Sequence, residues 1–182
     1  AIEACGLGFD EIQFDYIRYP DTSHSNLAYK EESTFNNRTR NINSFLDEAT
    51  EILHGEGCLV SADIFGYVLQ TKSDNGIGQH LESIVQSVDF ISPMVYPSHY
   101  SNGSFGYQYP NKYPYEVISA ALNDGISRGI EIKQLRPYLQ GFWHTTEDVR
   151  LNIKAAEDMG LDWIIWNNSS MYDADYFTKI ES

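Results

Sequence analysis

The hydrophobic pattern alternates short apolar runs with longer amphipathic stretches. The short runs are rich in β-branched and aromatic residues, which is typical of buried strands. The predicted strands cover Ile12–Ile17, Leu59–Phe65, Phe90–Val95, Leu135–Leu139 and Trp163–Trp166. The stretches between them repeat apolar residues at helical spacing. The predicted helices cover Ile42–Leu53, Leu81–Ser87, Tyr115–Arg128 and a stretch from Thr145 or Thr146 to near Gly160.

The two ends of the chain add short helices to this pattern. Ala1–Leu7 is typical of the end of a helix closed by Gly8, and a last short helix is expected near Ala174–Ile180. Strict alternation of strands and helices predicts an α/β fold with a parallel sheet and right-handed crossovers. A closed eight-stranded barrel takes roughly 250 residues. Five strands therefore leave two alternatives, an open doubly wound sheet or an incomplete (β/α) barrel of the TIM type.

Polar or aromatic residues follow all five predicted strands. The strands run into Asp15–Pro20, Asp63–Tyr67, Ser92–Pro97, Gln140–Trp143 and Trp166–Asn168. Barrel active sites draw on the carboxyl ends of several strands, whereas an open sheet concentrates its ligand groups at one switch point. The pattern therefore favours the incomplete barrel, and we assign residues 1–182 to a single partial domain.

The charge balance limits the partners. The chain carries 12 Lys and Arg against 26 Asp and Glu, a net charge of −14. Such a chain is a poor match for nucleic acid or an anionic membrane surface, whereas a neutral sugar meets no long-range repulsion. No apolar run is long enough to span a membrane, and the first residues resemble no signal peptide. Glycine-rich nucleotide-binding motifs are also missing, so we expect no cofactor, no nucleic acid and no membrane insertion.

Cysteine and histidine give little sign of a metal site. Two cysteines, Cys5 and Cys58, exclude a disulfide scaffold and a four-cysteine zinc site. We expect both to be reduced, buried small residues. The five histidines lack the spacing of common metal motifs, so we predict no metal site.

Two carboxylates stand out at strand ends. Asp15 lies in the segment Phe9–Pro20, with Gln13 on the same strand face and Arg18 three residues later. Asp63 closes the second strand. An inward-facing carboxylate is costly in a sealed core but reasonable at an open barrel mouth. The structural alternatives are an Asp15–Arg18 ion pair and a turn role for Asp63.

Aromatic and amide side chains at the other strand ends suit a sugar ring and its hydroxyl groups. These candidate substrate-binding residues are Tyr96, Gln140, Trp143, Trp166 and Asn167. Ordinary core packing is the alternative for the aromatic residues, and His99 is expected to be a solvated loop residue. The tyrosine-rich stretch Tyr100–Tyr115 has either the composition of a binding loop or that of an ordinary packed loop.

These segments together resemble a bacterial glycosyl hydrolase domain family of unknown function, found often on secreted or surface proteins. The most specific signature is GFDEIQFDYIRYP, supported by VSADIFGY, DFISPMVYPSHY, RPYLQGFW and GLDWIIWN. The resemblance covers almost the whole chain. It implies a glycosidase-type (β/α) barrel in which this chain supplies strands four to eight, with Asp15 on strand four. It also implies an extracellular or cell-surface location.

A more distant similarity links the chain to the family 18 chitinases. Their fourth-strand pattern FDGIDIDWEYP resembles the segment that starts at Phe9, but their acid Glu falls on Ile17 and their middle Asp on Gln13. Their sixth-strand Asp falls on Pro97. Ile17 cannot donate a proton, so the chitinase mechanism is not supported and another carboxylate must serve. Asp63 is the best placed, and amylase-type barrels also pair a fourth-strand Asp with a fifth-strand acid.

The predicted chemistry follows from two carboxylates on consecutive strands. Parallel neighbours lie roughly 4.8 Å apart, which would bring the carboxyl groups of Asp15 and Asp63 to about 5–6 Å, near the retaining separation. Their mutual repulsion would keep one of them protonated. We expect Asp63 to be the proton donor and Asp15, with Arg18 nearby, to be the nucleophile or charge stabiliser, although the reverse stays open.

Two functions are compatible with the sequence. The first is an O-glycosyl hydrolase that acts on an extracellular or cell-wall oligosaccharide or polysaccharide through Asp15 and Asp63. Its substrate contacts would be Gln13 and Arg18 together with the aromatic and amide residues named above. The alternative is a non-catalytic carbohydrate-binding module on a degenerate barrel. The exposed sheet edges of such a fragment predict self-association or pairing with a missing N-terminal segment.

Overall fold

The computed structural model describes residues 1–21 and 27–178. The chain divides into two compact units: Ala1–Ile64 with Thr71–Ile91, and Phe65–Gln70 with Ser92–Ser182. In the described residues five strands alternate with α-helices, and the strands are hydrogen-bonded in the order in which they occur in the chain. The assignment of residues 1–182 to one domain stays a prediction.

The first unit is built on two parallel strands covered by a long helix. Its elements are α1 (Ile2–Gly6), β1 (Glu11–Phe14), α2 (Phe35–Gly55), β2 (Leu59–Phe65, of which the last residue belongs to the second unit) and α3 (Leu81–Ser87). Strand β1 pairs with β2, with Ile12 beside Val60 and Phe14 beside Ala62. The Phe14 ring packs edge-on against Phe45 of α2, with centroids 5.2 Å apart. This face of the two strands is therefore the one that the helix covers.

The second unit repeats the same arrangement. Its elements are the end of β3 (Phe90–Met94), α4 (Pro114–Ser127), β4 (Tyr138–Gln140), α5 (Thr146–Glu157) and β5 (Ile164–Trp166). Met94 pairs with Tyr138, and β4 pairs in parallel with β5. Helix α5 begins at a reciprocal cap in which Thr145 and Asp148 bond to each other's backbone N–H. Buried residues of α4 and α5, such as Leu122 and Val149, form part of the core.

The strand and helix predictions are confirmed in order, and several bounds differ. Strand β1 ends at Phe14 because the Asp15 carboxylate accepts a hydrogen bond from Tyr16 N, and Tyr16 turns to a left-handed φ of 55°. Helix α2 begins seven residues before Ile42, because Thr34 caps a polar first turn that carries no apolar repeat. Strand β4 begins three residues later and ends one residue later than expected. The last helix is a 3₁₀ turn over Ala174–Phe177, and residues 179–180 of that prediction lie outside the described residues.

The cysteine prediction is wrong, because Cys5 and Cys58 form a disulfide with Cα atoms 5.9 Å apart. Cys5 precedes β1 and Cys58 precedes β2. In a parallel pair the segments that lead into both strands lie side by side, as the bond from Leu59 N to Asp10 O shows. A single bridge at the entrance of a strand pair joins residues far apart in the sequence, so the spacing of the two cysteines gave no sign of it.

We expect loss of this disulfide to destabilise the first unit. The bridge spans 53 residues, and closing a loop of that size lowers the entropy of the unfolded chain by an amount equivalent to about 4 kcal/mol. Urea unfolding of the Cys5→Ala/Cys58→Ala variant should show a free energy of unfolding about 2–4 kcal/mol lower than that of the oxidised protein. Reductant should lower the stability of the unmodified protein and leave the variant unchanged. Equal stability of the oxidised and reduced proteins would contradict this prediction.

Candidate active site

Strands β1 and β2 share a polar face. Side chains alternate along a strand, so Glu11 and Gln13 lie on the face opposite Phe14, and the register places Gln13 beside Ser61. The Ser61 hydroxyl donates a hydrogen bond of 2.5 Å to Glu11 Oε1, which places both side chains on that face. This face points away from α2, on the side that becomes the interior of a (β/α) barrel. Glu11 and Ser61 were not among the predicted site residues.

Asp15 and Asp63 each follow a residue of the last β1–β2 pair and lie in contrasting environments. Phe14, the last residue of β1, is paired with Ala62. Asp15 comes directly after Phe14, and Asp63 comes directly after Ala62. Asp15 is exposed and accepts a hydrogen bond of 2.7 Å from Tyr16 N. Asp63 is only 5% exposed. The strand ends thus present one exposed and one buried carboxyl group.

Tyr16 is held in a strained and exposed position directly after Asp15. Its φ of 55° is rare for an aromatic residue, and its side chain is 78% exposed. The Arg18 guanidinium carbon lies 5.8 Å from the centre of its ring, and Arg18 Nη1 donates to Tyr19 O. Strain of this kind persists where the surrounding structure imposes it, often at functional sites. Tyr16 was not among the predicted site residues.

A buried glutamine joins the segments that carry the two carboxylates. Gln79 is 1% exposed, and its Nε2 donates to Ile17 O at 3.3 Å and to Asp63 O at 3.1 Å. Ile17 is itself buried. Gln79 thereby fixes the backbone of both strand ends. Its role had no signal in the sequence, because it lies in a polar loop 16 residues after Asp63.

The loop that carries Gln79 is anchored to α2 by a buried ion pair. Arg38 binds both carboxylate oxygens of Asp74, at 2.6 and 2.9 Å. Asp74 also accepts hydrogen bonds from Gly76 N and Gly78 N. Burial acts to raise the pKa of Asp74, but the Arg38 side chain and the two amides outweigh it and lower that pKa. A Cβ at Gly78 would lie 2.8 Å from Ile42 Cγ1, so the loop packs closely on α2.

The two predicted amides of the second unit are buried and bonded to backbone. Gln140 is fully buried, accepts a hydrogen bond from Ser98 N and donates one to Phe142 O. Asn167 donates to Gly141 O and Met171 O, and its carbonyl accepts from Ser169. Both amides therefore hold the loops that follow β3, β4 and β5.

The predicted aromatic residues of the second unit have very different exposures. Trp143 is 78% exposed at a left-handed φ of 54°, Trp166 is 48% exposed, and Tyr96 is buried. The Phe142 ring packs edge-on against both Tyr96 and Trp143, each at 5.2 Å. The structure thus brings Tyr96 and Trp143 together around Phe142. His99 is exposed, as expected, and its ring also packs against Tyr96 and Phe142.

A histidine next to Trp143 fixes this loop. His144 Nε2 lies 2.8 Å from Asn111 Oδ1, and Asn152 Nδ2 lies 3.1 Å from His144 Nδ1. Burial lowers the pKa of His144, and the nearby Asp148 offsets part of this effect. A neutral ring with its proton on Nε2 satisfies both contacts. With Phe142 O bound by Gln140, both neighbours of Trp143 are held, which explains how its strained backbone is maintained.

Within residues 1–21 and 27–178 no cluster of three or more His, Cys, Asp or Glu side chains has the arrangement of a metal site. Among those residues no helix combines the length and hydrophobicity needed to cross a membrane.

Residues 1–172 match the DUF4015 family, described as "Putative glycosyl hydrolase domain". The chain belongs to this family. The resemblance noted from the sequence signatures is thereby confirmed. No curated protein matches the chain in sequence.

Two solved structures share the fold of this family member. A chitinase from Chromobacterium violaceum matches with a TM-score of 0.66 and 10% identity over 96% of this chain and 66% of its own. The PgaB (BpsB) glycoside hydrolase domain from Bordetella bronchiseptica matches with a TM-score of 0.53 and 18% identity over 73% of this chain and 38% of its own. The chain thus spans less than two thirds of either protein. The predicted fold class, an incomplete (β/α) barrel with five parallel strands, is confirmed.

The Arg38–Asp74 pair should be essential to the first unit. The variant Arg38→Met leaves a buried carboxylate without its cation, which should cost about 3–5 kcal/mol of unfolding free energy at pH 7. The matched control is Arg40→Met on the same helix. Arg40 pairs with Glu31 at the surface, so its loss should cost at most about 1 kcal/mol.

The pH dependence follows from the lowered pKa of Asp74. The ionised carboxylate contributes stability that is fully present above its ordinary value of 3.8 and is lost as the pH falls through the lowered folded value. The difference between the unmodified protein and Arg38→Met should therefore shrink below about pH 4. Urea unfolding at pH 7 and pH 3 measures it. A difference that stays constant with pH would show that the pair does not contribute through charge.

Proposed function

We propose that the chain is the catalytic part of a glycoside hydrolase in which Asp15 and Asp63 form the carboxylate pair. The observation that supports this proposal is the pairing of Phe14 with Ala62, since the residues that follow them are the exposed Asp15 and the buried Asp63. Membership of the glycosyl hydrolase domain family supports it. The substrate class is an extracellular or cell-wall oligosaccharide or polysaccharide.

The contrasting environments assign the two roles. In this proposal the buried Asp63 is the proton donor and the exposed Asp15 is the nucleophile. In a retaining reaction Asp15 forms a bond to the anomeric carbon as the glycosidic C–O bond breaks, and the Asp63 proton passes to the leaving oxygen. Water then attacks the anomeric carbon and gives a proton to Asp63, which releases Asp15 and the sugar.

The remaining site residues divide into contact and positioning roles. Trp143 and Trp166 offer exposed aromatic surfaces on which a sugar ring stacks, and Gln13 and Arg18 offer hydrogen bonds beside the carboxylates. Gln140 and Asn167 act by holding the loops that follow the strands, since their amides are bonded to backbone. Tyr96 packs against Phe142, which in turn contacts Trp143.

A second function, binding of carbohydrate without catalysis, rests on one specific observation. The position that carries the acid Glu in family 18 chitinases holds the buried Ile17. A barrel that has lost its acid could retain the aromatic surfaces that bind sugars. Turnover, and not binding, separates the two functions.

We also propose an extracellular or cell-surface location. The Cys5–Cys58 disulfide supports it, because structural disulfides persist in oxidising compartments and are rare in the reducing cytosol. The net charge of −14 causes no long-range repulsion of a neutral carbohydrate.

Replacing either carboxylate should abolish hydrolysis while leaving the fold intact. We expect Asp15→Asn and Asp63→Asn each to lower turnover at least about 100-fold, since each removes a group that acts in the transition state. Release of reducing ends from neutral polysaccharides measures turnover, with the chain inside its full-length protein. The exposed neighbour Asp10 provides the matched control Asp10→Asn. Near-normal activity of Asp63→Asn would show that the acid lies elsewhere, and an inactive parent protein would favour the binding module.

The outer side of the first unit should support association with a second copy of this chain. An apolar groove of 340 Å³ lies between α1, β1 and α2, and Ile2, Phe45 and Ile52 are each about half exposed there. We expect residues 1–182 to sediment as a dimer or larger species, and Ile52→Lys to shift the distribution towards monomer. Ile132→Lys, at an exposed isoleucine of the second unit, is the control. A sharply monomeric parent with high thermal stability would contradict the proposal.

A further inference from the structure

A second pocket, outside the predicted site residues, lies within the second unit. It has a volume of 320 Å³ and is formed where β2 and β3 end. The residues that shape it are Gly66, Tyr67, Gln70, Tyr100, Ser101 and Ser104. Ligands of (β/α) barrels bind at the carboxyl ends of the strands, so the pocket lies at the edge of the fold where substrate is expected. Its volume is at the small end of the range for ligand sites.

The pocket wall requires a glycine. A Cβ at Gly66 would lie 2.6 Å from both Met94 O and the Tyr100 hydroxyl oxygen. The Tyr100 hydroxyl is buried. Burial raises the pKa of Tyr100 far above its ordinary value, and the Gln70 side chain offsets part of this effect, so the hydroxyl keeps its proton. The wall thus carries a neutral hydroxyl group next to the Gln70 amide.

The chemistry of the lining indicates an uncharged ligand. Among residues 1–21 and 27–178 no Asp, Glu, Lys or Arg side chain lines the pocket, although the chain carries a net charge of −14. Burial lowers the pKa of the lining residue His99, which favours its neutral form at pH 7. Gln70, Ser101 and Ser104 supply neutral hydrogen-bonding groups. A charged ligand would find no counter-ion here.

Aromatic rings form one side of the same pocket. The rings of Phe65 and Tyr67 stack at 5.3 Å with only 13° between their planes, and Tyr100 packs edge-on against Phe105. A flat apolar surface beside neutral hydroxyl and amide groups matches a pyranose ring, which has an apolar face and a rim of hydroxyl groups. Each stacked ring contributes contact area at little entropy cost.

We propose that this pocket is a binding subsite for one neutral pyranose unit of the substrate. The proposal rests on the proposed function for its substrate class and assigns a second contact region, with Tyr67 as the stacking residue. It also predicts selectivity: neutral oligosaccharides bind through this pocket, and uronic acid oligomers do not.

Calorimetric titration of the full-length protein tests the subsite. The probes are chitopentaose, cellopentaose and xylopentaose as neutral oligosaccharides and pentagalacturonate as the charged one. We expect at least one neutral probe to bind and Tyr67→Ala to weaken that binding about tenfold, whereas Tyr67→Phe retains it because the ring remains. Tyr109→Ala, at an exposed tyrosine outside the pocket, is the matched control and should bind as the parent does.

Each outcome separates the subsite from the proposed function. Unchanged affinity of Tyr67→Ala, tighter binding of pentagalacturonate than of the neutral probes, or no binding of any neutral probe would overturn the subsite. A second combination of results would support the subsite and overturn the carboxylate pair. In it Tyr67→Ala weakens binding, while either the parent protein shows no turnover or Asp15→Asn and Asp63→Asn leave its turnover unchanged. Circular dichroism of Tyr67→Ala and Tyr67→Phe checks that both variants fold.

Discussion

The candidate site depends on the pairing register of β1 and β2. Because side chains alternate along a strand, a slip of one residue would move every second side chain to the other face. In the observed register Phe14 packs on Phe45 of α2, and Ser61 bonds to Glu11 on the opposite face. The packing of Phe14 on α2 therefore leaves the opposite face of the strands, with Glu11, Gln13 and Ser61, to polar side chains.

The loops around the strand ends are fixed by polar groups rather than by apolar packing. Arg38 and Asp74 anchor the loop that follows β2, and Gln79 then bonds to the backbone of Ile17 and Asp63. In the second unit Gln140 and Asn167 do the same for the loops after β4 and β5. Buried side chains with directional hydrogen bonds suit this task, because loops at a barrel mouth cannot bury enough apolar surface to be rigid.

Strained aromatic residues are the second feature of these strand ends. Tyr16 and Trp143 both have a left-handed backbone and are both 78% exposed. Each combines two unfavourable conditions, a strained backbone and an aromatic side chain exposed to water. Neither condition helps to pack a protein core. Their neighbours hold them in place through hydrogen bonds, such as those of His144 with Asn111 and Asn152. This pattern supports a role in contact with a ligand, since strain of this kind is concentrated at binding and catalytic sites.

The sequence alone determined the order of elements, the parallel pairing and the barrel class, because these follow from local periodicity and from the chirality of strand–helix–strand connections. It also pointed to Asp15 and Asp63, since a carboxylate that closes an apolar strand is conspicuous in the pattern. Only the tertiary structure decided that Cys5 meets Cys58 and that Gln79 joins the strand ends. It alone showed that the side-chain amides of Gln140 and Asn167 are hydrogen-bonded to backbone carbonyl groups. These features depend on pairs of residues far apart in the chain, and a periodic pattern carries no information about which distant groups come into contact.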